Sequence, residues 1–254
     1  MKKNNKSTMA KKDMAKKDSI YKISVILPTY NEMENIAALI RETSKYCGKH
    51  LHEIIVVDDN SPDGTWKIAS DLRRKNRKIK LIRRINERGL PSAIWAGIRH
   101  AKGNVVLWLD CDLSHPPSLI SKMIPYLDKY DIVSASRYVD GGRDKRPFFR
   151  QASSKMINFL AGLVLNLGVA DITSGFYLVK TAVFRKVTLK QTGYAEYCIR
   201  LSYDAIRNNF HWKEIPYTFT DREKGTSKSF GNIFNFMKNG YLCLAEIIKL
   251  KFSK

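Results

Sequence analysis

The chain lacks the signatures of several common chemistries. No Gly-x-Gly-x-x-Gly follows its first strand-like run and no Gly-x-x-x-x-Gly-Lys-Ser/Thr occurs, which disfavours a dinucleotide oxidoreductase and a P-loop hydrolase. The four cysteines, Cys47, Cys111, Cys198 and Cys243, are scattered without a Cys-x-x-Cys pair. Neither a zinc knuckle, a redox motif nor a disulfide framework is expected, and a reducing cytosolic setting fits. None of the five histidines stands out as a general base. No apolar run reaches the roughly 20 residues of a membrane span. The N-terminus has lysines but no apolar segment, so no secretory signal is expected.

Acidic residues are few beside basic ones, 24 against 45, which gives a formal net charge of +21. Residues 1–20, with MAKKD twice in a row at 9–18, read as a basic flexible tail. The body keeps most of the positive surplus. Such a field favours anionic partners: nucleic acid, an acidic membrane surface or phosphorylated substrates. With 44% hydrophobic and 27% charged residues over 254 positions, the chain is globular and long enough for a sizeable core.

Strand and helix patterns alternate through the first half. Lys22–Pro28 (KISVILP), Glu53–Asp59 (EIIVVDD), Ile79–Arg84 (IKLIRR), Asn104–Asp110 (NVVLWLD) and Asp131–Tyr138 (DIVSASRY) read as buried strands. Asn31, with Glu34 three residues on, reads as a helix start. NSPDGT, Asn60–Thr65, is a turn into the next helix. Pro91–Ala101 is a helix with Pro91 at its opening and Gly103 just past its end. This order implies an α/β fold with a Rossmann-like, mainly parallel sheet and helices on both faces. Ligands in such sheets bind beyond the carboxyl ends of the strands.

Polar residues collect at those ends: Pro28–Glu32 (PTYNE) after the first strand, Asp58 and Asp59 after the second, Asp110 and Asp112 after the fourth, and Arg137 after the fifth. In VLWLDCDLSHPP, Val106–Pro117, strand alternation aims both Asp110 and Asp112 the same way. Two such carboxylates are either solvated acids at a turn, acids paired with arginine, or a site for a divalent cation, since oxygen-only ligands suit Mg²⁺ or Mn²⁺. Residues 137–154, glycine-bearing and basic, suggest a mobile loop over the site. Asp221–Ser229 (DREKGTSKS) reads as a second basic loop. The two loops would bring Arg137, Arg150, Arg222 and Lys228 near the acids. Met156–Ala170 is apolar but broken by asparagines, and residues 230–254 carry apolar side chains at helical spacing flanked by lysines, which reads as an amphipathic, membrane-interfacial helix.

The motifs VILPTYNE, EIIVVDDNSPDGT, LDCDLSHPP, SRYVDGG, DITSGF and DREKGTSK occur in this order from about Tyr21 to Lys228. In that ordered set the chain resembles the polyprenol-phosphate glycosyltransferases of glycosyltransferase family two, the dolichol-phosphate mannose synthases in particular. The resemblance implies a GT-A fold for a catalytic domain over 21–229 and a nucleotide sugar donor, GDP-mannose in this branch. Pro28, Tyr30, Glu32, Val57 and Asp59 would hold the nucleoside. Asp110, Cys111 and Asp112 would form the DxD element, with Asp112 the direct ligand of Mg²⁺ or Mn²⁺ and Ser114 beside it. Arg137, Arg222 and Lys228 would bind phosphates, and Arg150 and Ser154 would gate the acceptor. Cys111 replaces the Ala common inside DxD, and GYAEYCI, Gly193–Ile199, departs from the segment usual in mannose synthases.

The reaction so implied is inverting transfer of a hexose to a polyprenyl phosphate at the cytoplasmic face of a membrane, by a peripheral enzyme with or without a membrane-anchoring partner. The alternatives are a family member using UDP-glucose or one extending a glycan or glycolipid hydroxyl, which needs a base such as Glu196. A nucleic-acid partner is not expected, because the basic residues lie with acids at strand ends and no recognition motif occurs.

Overall fold

The structure, a computed structural model, describes residues 21–220 and 233–253. Its seven-stranded sheet has the order β3-β2-β1-β4-β7-β5-β8. The strands are β1 (Ile23–Thr29), β2 (Leu51–Asp58), β3 (Ile79–Arg83), β4 (Val105–Trp108), β5 (Ile132–Ser136), β7 (Tyr177–Lys180) and β8 (Trp212–Pro216). Strands β3, β2, β1 and β4 run parallel, and β5 pairs parallel with β8. Only β7, wedged between β4 and β5, is antiparallel to its neighbours in this sheet. A small second sheet pairs β6 (Arg143–Asp144) with β9 (Thr218–Phe219).

The sheet is covered on both faces, which is why its strands are apolar without alternation. Every residue of β1 is buried. Val25 and Leu27 of β1, Ile54 and Val56 of β2 and Leu107 of β4 enter one cluster with Ile36 and Leu39 of α1 (Ile36–Cys47) and Leu119 and Ile120 of α4 (Leu119–Met123). Ile26, Ile55, Val57 and Trp108 enter the other with Ala93 and Ile94 of α3 (Leu90–His100) and Leu201 and Ala205 of α6 (Glu196–Arg207). Helix α2 (Thr65–Lys75) lies beside α1. Gly97 lets α3 come so close to β1 that a Cβ there would overlap Ile26.

The remaining helices form a third cluster. Ala161 and Leu165 of α5 (Phe148–Leu165), Ile199 of α6, and Cys243, Ile247 and Leu250 of α7 (Ile233–Phe252) pack together. No helix among the described residues is long and apolar enough to cross a membrane.

Three local expectations change. Asn31 does not cap a helix: it sits at φ 54°, and α1 begins only at Ile36 after a turn closed on the Glu32 carbonyl. Gly103 is not a helix end but a point of close approach, its N–H donating to Ser24 Oγ at 2.9 Å. Residues 137–154 are not one loop. Arg143 and Asp144 join a strand pair, and Pro147 at the N-cap starts α5, so Arg150 and Ser154 lie on its first turns. The arginines and glycines masked that helix. Residues 137–142 and 145–147 stay irregular, and a Cβ at Gly142 would meet the Arg137 carbonyl at 2.7 Å.

Candidate active site

The carboxyl ends of β1, β2 and β4 open on a cleft of about 380 Å³. Its walls include Pro28, Tyr30, Glu32, Asp59, Asp110, Cys111 and Asp112. Of the residues expected to hold a nucleoside, Val57 alone is elsewhere: its side chain is fully buried in the core under α3.

Two neighbouring aspartates at the end of β2 do different work. Asp58 braces the loop, accepting from Thr29 Oγ1 at 3.0 Å, the Ser61 N–H at 2.9 Å and Ser61 Oγ at 2.6 Å. Asp59 faces the cleft and is gripped by Arg84 Nε at 2.7 Å and the Gly89 N–H at 2.8 Å. Burial drives the Asp59 carboxyl above its ordinary pKa, against the pull of Gly89 and Arg84. Arg84, itself buried, also bonds Ser92 and the Gly89 carbonyl, so the 84–89 turn is tied to the cleft wall. That turn delivers Arg88, whose guanidinium lies 3.7 Å over the Tyr30 ring.

Asp110 and Asp112 do converge, though not through strand alternation. β4 ends at Trp108, and both acids lie in the turn that follows. Leu113 takes φ 62°, a left-handed conformation costing about 1–3 kcal/mol for a non-glycine residue. Beyond it Ser114 donates to Asp112 Oδ1 from its N–H at 3.0 Å and its Oγ at 2.5 Å. His115 is buried among Phe176, Tyr217 and Phe219. Burial lowers its pKa to about 4, so the ring is neutral and Nδ1 accepts the Asp110 N–H at 3.2 Å. His115 is thus a positioning residue that no sequence spacing singled out, although it stands inside the LDCDLSHPP motif.

Asp110 and Asp112 also floor a second chamber of about 380 Å³, between α5 and α7. Arg137, Arg146 and Arg150 line it with Ser114 and Ser154, and its far walls are apolar, including Ile157, Phe236 and Leu244. Arg137 is 5% exposed and held by Asp171, Nε to Oδ2 at 2.7 Å and Nη2 to Oδ1 at 2.6 Å. Burial opposes its charge, but Asp171 outweighs burial and keeps the guanidinium cationic. Arg146, missed in the sequence, is held by Asp144 at 2.9 and 2.5 Å and lies over Phe219. Tyr194 and Asn239, also missed, line both chambers where they meet. Arg222 and Lys228 lie outside the described residues.

Glu196, the candidate base for a hydroxyl acceptor, lines neither chamber. It is 1% exposed and accepts the Tyr194 and Ala195 N–H groups at 2.7 and 3.0 Å, closing the start of α6.

Among the described residues no three His, Cys, Asp or Glu converge as a complete metal cage. The donor set nonetheless fits a hard cation that takes one or two carboxylates and completes its shell with phosphate oxygens and water. Asp110 and Asp112 would hold it, with the Ser114 hydroxyl orienting Asp112.

The family description Glycosyl transferase family 2 matches residues 24–188. A dolichol-phosphate mannosyltransferase of Pyrococcus furiosus is 37% identical over 228 residues, covering 87% of this chain and 63% of the relative. The chain therefore spans under two thirds of that protein. A polyprenol monophosphomannose synthase of Mycolicibacterium smegmatis is 36% identical, with 82% and 81% covered. Among solved structures, glucosyl-3-phosphoglycerate synthase from Mycobacterium tuberculosis, in complex with Mn²⁺, UDP and phosphoglyceric acid, superposes with TM-score 0.70 at 17% identity over 92% of this chain and 80% of its own. Its complex with Mg²⁺ and UDP gives TM-score 0.69 at 15% identity, with 91% and 79% covered. These two show the fold, of GT-A type.

Proposed function

Because the chain belongs to glycosyl transferase family 2, we propose that it transfers mannose from GDP-mannose to a polyprenyl phosphate, with inversion, at a membrane surface. The observation that carries this reading is a pair of chambers sharing one acidic floor. The cleft beside Tyr30 and Asp59 suits a nucleotide, and the arginine-lined chamber between two helices suits a phosphate on an apolar chain. The names of the two relatives, both acting with a polyprenol or dolichol phosphate, support the same acceptor.

Tyr30 and Arg88 offer planar surfaces for a base, and Glu32 and Asp59 offer acceptors for ring or ribose donors. A bound Mg²⁺ or Mn²⁺ would offset charge on the departing nucleoside diphosphate. Asp110 and Asp112 keep that end of the cleft acidic and open to both chambers. The acceptor phosphate attacks the anomeric carbon from the side opposite the leaving diphosphate, guided by Arg146, Arg150 and Arg137. A phosphate monoester with second pKa of about 6 is largely dianionic at neutral pH, so the attack needs no protein base. The commitment of Glu196 to the α6 N-terminus agrees with that inventory and weakens the hydroxyl-acceptor alternative.

The apolar chamber wall continues outward. Phe148, Phe159 and Leu163 on α5, and Tyr241, Ile248 and Phe252 on α7, are exposed. Helices of this kind lie in the bilayer interface without crossing it, and the positive charge suits the anionic cytoplasmic leaflet.

The test is an extraction assay. Radiolabelled GDP-mannose or UDP-glucose is incubated with polyprenyl phosphate or free polyprenol, and the lipid product is treated with mild acid. Label from GDP-mannose should enter an acid-labile lipid only with the phosphate acceptor. An acid-stable product, or equal transfer to free polyprenol, overturns the acceptor; label taken only from UDP-glucose overturns the donor.

A further inference from the structure

Helix α7 has three faces with different surroundings. Cys243, Ile247 and Leu250 are buried against α5 and α6, and the buried Glu246 accepts from Lys190 Nζ at 2.6 Å. Tyr241, Ile248 and Phe252 point outward and are exposed. One turn before Cys243, Lys238 and Asn239 reach the nucleotide cleft, on its wall together with Asp110, Asp112 and Tyr194. The same helix thus enters the cleft and carries the apolar outer face.

Lys238 stands at a telling place in that cleft. Tyr30, Asp59 and Arg88 occupy the β1–β2 end, and Lys238 lines the same cleft as the two acids of the β4 turn. Asp110 and Asp112 repel a diphosphate unless cations offset them. A metal supplies part of that. A lysine, a compact point charge on a flexible stem, suits the oxygens a metal leaves uncovered. Arg88 is the other basic residue on this wall among the described residues, and it is stacked on Tyr30.

We infer that Lys238 binds the diphosphate of the donor, and that because it is presented by α7, nucleotide binding and seating of α7 on an anionic bilayer strengthen each other. This rests on the reading of the cleft as the donor site. The C-terminal half of α7 is fixed by its buried stripe and the Glu246–Lys190 pair. The N-terminal half, with Lys238, leans on α5 through Phe236 against Phe149, ring centres 5.1 Å apart. A bilayer under the exposed Tyr241 orders that half and sets Lys238 in place. The nucleotide, by holding Lys238, orders the same turn. Linkage of this kind is reciprocal in binding free energy.

The experiment is calorimetric titration of the full chain with Mn²⁺ and GDP, GMP, UDP or UMP. It is run with and without vesicles of phosphatidylcholine and phosphatidylglycerol, on the wild type, Lys238→Gln and Lys238→Arg. Wild type should prefer the diphosphate to the monophosphate of its base. Lys238→Gln should shrink that preference about tenfold, the scale of one hydrogen bond to a charged group, and Lys238→Arg should restore it. Vesicles should tighten diphosphate binding at least threefold in wild type and far less in Lys238→Gln. An unchanged diphosphate preference in Lys238→Gln overturns the role of Lys238 while leaving the donor site standing. Equal affinity with and without vesicles overturns the linkage. If wild type binds neither GDP nor UDP, the donor-site reading itself falls, and the inference with it.

Discussion

Ser114 gives both its N–H and its hydroxyl to one oxygen of Asp112, whose carboxylate lines both chambers. Asp112→Asn removes the charge and keeps the shape. It should cut turnover roughly a thousandfold, the scale of a lost electrostatic contact to a transition state, while the circular dichroism and melting curve stay as in wild type. Retained turnover in a metal-free assay would sink the DxD assignment. Asp171 is the opposite case, a carboxylate needed for the fold. It is fully buried, and its truncation strands the Arg137 guanidinium. Asp171→Ala should lower the unfolding free energy by about 3–5 kcal/mol in urea titration. The acids of the β4 turn were legible because only Cys111 separates them in sequence. The partners of Arg137 and Arg84 were not, because Asp171 and Asp59 lie 34 and 25 residues away and reach them only through the sheet.

Helix α7 shows what periodicity can and cannot tell. Its apolar spacing revealed a helix, but a stripe facing a core and a stripe facing a bilayer look alike in sequence. The structure assigns Cys243, Ile247 and Leu250 to the core and leaves Tyr241, Ile248 and Phe252 outside. Deleting the whole helix would therefore uncover the third cluster and confound any membrane assay. Serine at Tyr241, Ile248 and Phe252 together is the cleaner change. It should reduce co-sedimentation with anionic vesicles about tenfold or more, with the melting temperature held, since only exposed apolar area is lost. Equal sedimentation would point to a protein partner on that face. The start of α5 was hidden for another reason. Its first turns carry Phe148, Phe149 and Arg150 toward solvent and the chamber, so they lack the buried stripe by which most helices announce themselves.

Across the whole molecule, the candidate site gathers at one end of the sheet and a buried ionic cluster stands at the other. At the far end Glu53, 2% exposed, joins Ser24 Oγ at 2.7 Å, the Lys102 N–H at 2.6 Å and the Lys80 ammonium. Burial alone would raise its pKa, but Lys80 and these donors outweigh it and the carboxyl titrates below its ordinary value. Its contribution is fully present above about pH 4.5 and fades as pH falls through the lower folded value. Glu53→Gln should cost about 1–3 kcal/mol at pH 7 and flatten the acid limb of the stability–pH curve, leaving the nucleotide affinity as it was. The parallel half of the sheet was readable from its alternating strands and helices. β5 was readable too, but β7, β8 and the small sheet were not, because they are short strands set between α5, α6 and irregular turns, and nothing local in Tyr177–Lys180 says that this strand runs backwards.

The wedged position of β7 also sets an order of assembly. As the chain leaves the ribosome, β1 to β4 find neighbours among themselves, the last of them by residue 108. Strand β5 emerges next but cannot pair with β4, because its place beside β4 belongs to a strand some forty residues later in the chain. Until Tyr177–Lys180 arrives, Ile132 and Val133 of β5 lack their β7 partners, and the β4 edge stands open. Such edges seed aggregation. Nascent fragments that stop between residues 137 and 176 should be captured by chaperones or precipitate, whereas those reaching beyond β8 should become soluble and protease-resistant in a single step.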